Sequence, residues 1–186
     1  MRLSAFLLSA AVLTSLSVAE DISVKQEGIK YIKMLGGALK SELKRHMKND
    51  PSGIEALAFC TGSAEKITNE VNAKLPKYAT VRRTSLKVRN NKINTPDETD
   101  RKVMEAFVVA IKEKQLDNKS IKVIEEGNVT RIYKPLVTGK VCLKCHGSTL
   151  DPKIKDALKS SYPHDQAVGF KEGDLRGVIV AEIKKH

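Results

Sequence analysis

Aromatic residues are scarce in this chain. Its 186 residues include no Trp, four Tyr and four Phe, an aromatic share of 4%. A core built on large aromatic anchors is therefore not expected. Long apolar runs are also lacking beyond residue 20. The longest, Ala106-Phe107-Val108-Val109-Ala110-Ile111, is about a third of the roughly 20 residues that cross a bilayer. Cysteine is sparse and odd in number: three residues cannot all pair within one chain. Acidic residues are outnumbered, 22 against 33 Lys and Arg, for a formal charge of +11. These bases are spread along the chain, with no zinc finger and no aromatic-interleaved basic motif, so no nucleic-acid partner is expected. What is present is a globular balance, 41% hydrophobic and 30% charged, which excludes wholesale disorder.

Residues 1–19, MRLSAFLLSAAVLTSLSVA, read as an export signal. Arg2 supplies the positive start, Phe6 to Leu16 the apolar stretch, and Ser17-Val18-Ala19 the small-x-small cleavage pattern. The expected mature chain is residues 20–186, one domain, in the oxidising periplasm.

Ile29, Ile32, Leu35, Leu39, Leu43 and Met47 recur every three or four residues and predict an amphipathic helix that Asp50-Pro51-Ser52-Gly53 ends. A second stripe, Leu57, Cys60, Ala64, Ile67 and Val71, predicts one further helix ending near Leu75-Pro76, with Cys60 on its apolar face. Residues 80–90 read as extended structure. Thr95-Pro96-Asp97-Glu98 predicts a helix start with Thr95 as N-cap. Residues 121–125 and 129–137 predict two strands around a Glu126-Gly127-Asn128 turn. Residues 148–174 are polar and irregular, apart from a short helix over 154–159, and 177–183 read as a last buried strand. Helices followed by an antiparallel sheet make an α+β domain.

The chemistry concentrates at Cys142-Leu143-Lys144-Cys145-His146, the C-x-x-C-H pattern of c-type haem attachment. Two thiols at this spacing add across the two vinyl groups of one haem. The adjacent histidine is then held at the porphyrin face, where an imidazole nitrogen binds the iron. Other readings of the same residues are a redox dithiol, half of a zinc site and a structural disulfide. The first lacks a neighbouring βαβ pattern and the second lacks a second ligand pair. Cys60 reads either as a small core residue or as a second iron ligand. Rival ligands are Met47, Met104, His46 and His164, with His186 terminal.

Three blocks are similar to the Tll0287-like family, also described as DUF3365. They are Leu86-Lys87-Val88-Arg89-Asn90; Arg131-Ile132-Tyr133-Lys134-Pro135-Leu136 leading into Cys142-Leu143-Lys144-Cys145-His146-Gly147; and residues 162–177, from Tyr162-Pro163-His164-Asp165 to Leu175-Arg176-Gly177. The resemblance implies a PAS-like antiparallel sheet with N-terminal helices packed on it and one covalent haem c. It also implies an axial pair of the motif histidine and a distant cysteine, here His146 and Cys60. Arg89, Asn90, Arg131 and Tyr133 are candidate partners for the haem propionates, arginine offering the bidentate geometry.

The expected function is that of an exported mono-haem cytochrome in electron transfer or redox sensing, and not an enzyme. A thiolate ligand would stabilise ferric iron and lower the reduction potential. A gas-sensor module for CO or NO, a peroxidase-type enzyme and a non-haem disulfide or zinc protein are the alternatives. The basic surface serves solubility, an anionic membrane surface or an acidic redox partner protein. The porphyrin would fill interior space that Trp and Phe usually occupy.

Overall fold

The computed structural model describes residues 12–185, with side chains from residue 23 onward. The expected leader lies outside the described residues, apart from the backbone of residues 12–19, and so does His186. The first apolar stripe is part of one long helix, α1 (Val12–Asn49). No helix among the described residues is long and apolar enough to cross a membrane.

The second stripe is two helices, α2 (Ile54–Gly62) and α3 (Ala64–Asn72), where one was expected. Ser63 separates them, with φ −125° and ψ −17°. Glycine followed by serine is a weak helix-forming pair, and both short helices pack on α1. The extended stretch is a strand only as far as Thr84, as β1 (Ala79–Thr84). At Ser85 the chain leaves the sheet, its hydroxyl 2.7 Å from the Arg176 carbonyl and 2.9 Å from that of Lys87.

Helix α4 (Glu98–Lys112) starts at a different cap from the one expected. The Asp97 side chain accepts from the Asp100 amide at 2.8 Å, and Asp100 accepts from the Asp97 amide at 3.1 Å. This reciprocal box satisfies two amides at once. Thr95 instead donates its hydroxyl to the Asn91 carbonyl at 2.6 Å.

β2 (Lys122–Glu126) and β3 (Val129–Val137) form the expected hairpin, with Gly127 at φ 58° in the turn. A short α5 (Leu143–His146) and α6 (Pro152–Ser161) precede β4 (Leu175–Lys184). The sheet is antiparallel throughout, in the order β1-β4-β3-β2.

Strand alternation divides the core between the two faces of this sheet. On one face Tyr31, Ile32 and Leu35 of α1 pack on Val81, Ile132, Ile179, Ala181 and Ile183. On the other, Val103, Met104 and Phe107 of α4 pack on Tyr133, Val178 and Val180. Gly28 brings α1 close to β3: a Cβ there would lie 2.6 Å from Ile132 Cδ1. A third, smaller cluster joins α2 to α6 through Leu57, Ile154 and Leu158, with Cys145 and Tyr162 against it.

Candidate functional site

A 3-10 turn over Lys140–Cys142 runs directly into α5, so Cys142, Cys145 and His146 share about two helical turns. The Cys142 amide donates to the Gly139 carbonyl at 2.9 Å and the Gly147 amide to the Leu143 carbonyl at 2.9 Å. Gly147 permits this ending, since a Cβ there would meet the Leu143 carbonyl oxygen at 2.6 Å.

The three cysteines are free thiols, each partly accessible. Among the described residues no group of three or more His, Cys, Asp and Glu is placed to hold a metal ion. Cys60 and Cys145 lie within electrostatic range of each other, and burial pushes both thiols up in pKa. Arg83, Arg89 and Arg176 oppose that shift at Cys60. Arg83 and Arg176 are deeply surrounded by protein yet keep part of their surface accessible, as side chains lining a cleft do. The cleft is thus bounded by α2, α5, the end of β1 with the following loop, and the entry to β4.

His146 is oriented by the backbone. Its Nδ1 lies 2.7 Å from the Ala167 carbonyl, which can only accept, so Nδ1 carries the proton. Nε2 is left with its lone pair, 3.4 Å from the donating Nε of Arg176. Burial, then Arg176 and Arg89, hold the imidazole pKa down to about 2 against the opposing Ala167 bond, which keeps the ring neutral. The Phe170 ring meets it edge-on at 6.1 Å.

Ala167 is itself fixed. Its amide donates to Asp165 at 2.7 Å, and Arg89 Nε donates to the same carboxylate at 3.0 Å. Arg89 Nη2 donates to the carbonyls of Cys145, at 2.6 Å, and Ala167, at 3.2 Å. Arg89 therefore clamps the motif helix to the loop that orients His146. Its guanidinium, a candidate for the propionates from sequence, is engaged in this clamp.

The other propionate candidates are not brought to the cleft. The Asn90 side chain accepts from the Lys92 amide at 3.1 Å in a local turn. Arg131 and Tyr133 face α4, on the sheet face away from α1. Arg131 pairs with Asp97 at 2.6 Å, and the Tyr133 hydroxyl donates to Asp100 at 3.1 Å. The rival ligands are placed elsewhere too. Met104 is wholly enclosed in the α4 core. His46 pairs with Glu55 at 2.5 Å and stacks on Phe59, lining an open groove of about 470 Å³ that shares no residue with the cleft. His164 is exposed and Met47 half-buried.

Sequence reasoning missed Arg83, Arg176 and Asp165. The last two stand inside the block 162–177 quoted above, but no local spacing separates them from ordinary charged loop residues. The donor set fits the expected group: two thiols on adjoining turns, a neutral imidazole with a free lone pair, and a third thiol in the same cleft.

A model of the Tll0287-like family matches residues 9–183. Among solved structures, the crystal structure of the cyanobacterial heme-protein Tll0287 is similar to this chain in fold. Its TM-score is 0.59 at 21% sequence identity, covering 95% of this chain and 98% of that one. No curated protein matches the chain.

Proposed function

The chain belongs to the Tll0287-like family, and on that premise we propose that it is an exported mono-haem c-type cytochrome serving in electron transfer or redox sensing. The observation that carries this reading is the state of His146. Its Nδ1–H donates to the Ala167 carbonyl at 2.7 Å, and its Nε2 lies beside Arg176, a guanidinium that also acts on Cys60 and is acted on by Cys142. Metal-binding histidines commonly donate their second ring nitrogen to a carbonyl in this way, which fixes tautomer and ring direction together.

The residues have distinct roles. Cys142 and Cys145 would anchor the haem through thioethers. His146 Nε2 and the Cys60 sulfur would bind its iron. Arg89, Asp165 and Ala167 keep the imidazole turned toward the cleft. When bound, the haem iron supplies a one-electron ferric–ferrous couple. With two protein donors on its iron, such a haem would suit electron transfer better than catalysis. In this reading the four-stranded sheet with α1 and α4 on its faces is a PAS-like scaffold, and the chain works in the periplasm.

The rim of the motif supports docking to an acidic redox partner. Val137 and Val141 are 46% and 48% exposed, and Lys140 and Lys144 beside them are also exposed. An apolar patch edged by cations matches a partner of opposite charge, and its association rate then falls as salt is added.

A pyridine haemochrome assay on the purified protein tests the haem directly, with one haem per chain expected. Absence of haem rejects the haem reading, haem released from the wild-type protein by denaturation rejects covalent attachment, and haem retained through denaturation in a Cys142→Ser, Cys145→Ser variant rejects these two thiols as its anchors. The ferric electron paramagnetic resonance spectrum tests the second ligand. Cys60→Ser should remove its thiolate signature, and an unchanged spectrum rejects Cys60. CO added to the reduced protein separates the two roles, since rapid ligand replacement favours sensing and inertness favours an electron carrier.

A further inference from the structure

Three arginines from separate segments meet at the cleft: Arg83 on β1, Arg89 in the following loop and Arg176 on β4. Arg89 is matched by Asp165 at 3.0 Å. The other two are not matched. Among the described residues no carboxylate lies within ion-pair distance of Arg83 or Arg176, and the Arg83 guanidinium makes no hydrogen bond. Arg176 Nη1 donates to the Ser85 hydroxyl at 2.9 Å and the Lys87 carbonyl at 3.5 Å, its Nε to His146 Nε2 at 3.4 Å, and its Cζ lies 5.3 Å from the Phe170 ring centroid, so none of its partners is an acid.

Charge held within protein walls is costly unless it is paired. Both groups are in this position. Arg83 is held beside Cys60 and Tyr162, and Arg176 beside Arg89 and Arg83, with no acid of their own. The fold nevertheless holds two guanidinium groups here in excess of its own acids. The Arg176 contact with His146 would also be lost if a metal bound there. Nε2 has a single lone pair, so binding a metal there takes away the Arg176 Nε acceptor. A guanidinium in this setting fits a carboxylate, which accepts two of its N–H bonds in parallel.

We propose that Arg83 and Arg176 form the anionic subsite of this cleft and hold the two propionate carboxylates of the haem. This rests on the haem reading above and replaces Arg89, Asn90, Arg131 and Tyr133 as the propionate partners. Two unmatched cations answer two carboxylates, which leaves Arg89 free to act as the clamp.

Resonance Raman spectroscopy of the holoprotein tests this, because the propionate bending bands respond to hydrogen bonding at the carboxylates. Arg83→Gln and Arg176→Gln should each shift those bands at an unchanged haem content. Arg83→Lys and Arg176→Lys keep the charge but lose the fork, and should shift them less. If a glutamine variant fails to fold, its lysine counterpart carries the test. Bands identical to wild type in the folded variants, with one haem per chain, overturn the proposal. It also falls if the variants alter the thiolate signature of Cys60 and leave the propionate bands unmoved, since the arginines would then serve the sulfur. Wild-type protein without haem overturns the reading of the site itself, and that result is visible before any variant is made.

Discussion

Replacing Arg89 by glutamine tests the clamp. The Arg89 and Asp165 side chains are each only 9% exposed, with Nε to Oδ2 at 3.0 Å. Removing the cation leaves Asp165 charged inside the protein and releases the carbonyls of Cys145 and Ala167. Breaking a buried pair from one side costs about 3–5 kcal/mol, because the remaining charge has no compensation. In a domain of this size each kcal/mol moves Tm by roughly 2–4 °C, so a fall of about 6–20 °C is expected. Circular dichroism melts of haem-matched samples measure it. Asp165→Asn in the same background removes the stranded charge and should recover part of the loss, giving a clear coupling in the double-mutant cycle. A loss below about 1 kcal/mol for Arg89→Gln is the behaviour of an exposed pair and refutes the clamp.

Gly28→Ala should destabilise the domain by about 1–3 kcal/mol through overpacking, since the new Cβ would stand 2.6 Å from Ile132 Cδ1. Ile132→Val removes the nearest of three close atoms but leaves Cγ1 at 2.8 Å and Cβ at 3.0 Å, so it should recover only part of the loss in a urea titration; no recovery at all places the strain elsewhere. Asp100→Ala should cost about 3–5 kcal/mol, because this wholly buried carboxylate pairs with Arg82 at 2.9 Å and completes the α4 cap. A loss under 1 kcal/mol would show that the Arg82–Asp97–Glu182 cluster closes without it. Asp50 is held at a pKa of about 2, against an ordinary 3.8, first by the Ser52 side chain and then by the amides of Glu55 and Ser52. A depressed carboxylate stabilises the fold fully above its unfolded pKa, and that contribution is lost as pH falls through the folded value. Asp50→Asn should therefore flatten the acid side of the stability profile between about pH 4 and 2, and an unchanged profile rejects the assignment.

Some of this architecture was legible because its signals are local. The β2–β3 hairpin depends on Glu126-Gly127-Asn128 between two β-rich runs, and α1 on an apolar repeat matching the helical turn. Other features turned on competition between near neighbours. Thr95 and Asp97 are both competent caps, and Asp97 prevails because Asp100 returns its hydrogen bond and also meets Arg82 and Tyr133 from the sheet. The split at Ser63 was hidden for a similar reason, since the apolar repeat continues across it and only packing on α1 reveals two helices.

The sequence by itself carried the C-x-x-C-H pattern on which the haem reading rests. Cys142, Cys145 and His146 lie within about two helical turns, and their spacing alone brings two thiols and an imidazole together. Tertiary structure decided everything that meets them there. Cys60, Arg83, Arg89, Asp165 and Arg176 come from distant segments, so no periodicity or local motif records their convergence. The same sheet carries Arg131 and Tyr133 to its α4 face, because alternate strand residues point opposite ways. Which arginine clamps, which stays unmatched and which faces away therefore follows from strand register and loop path.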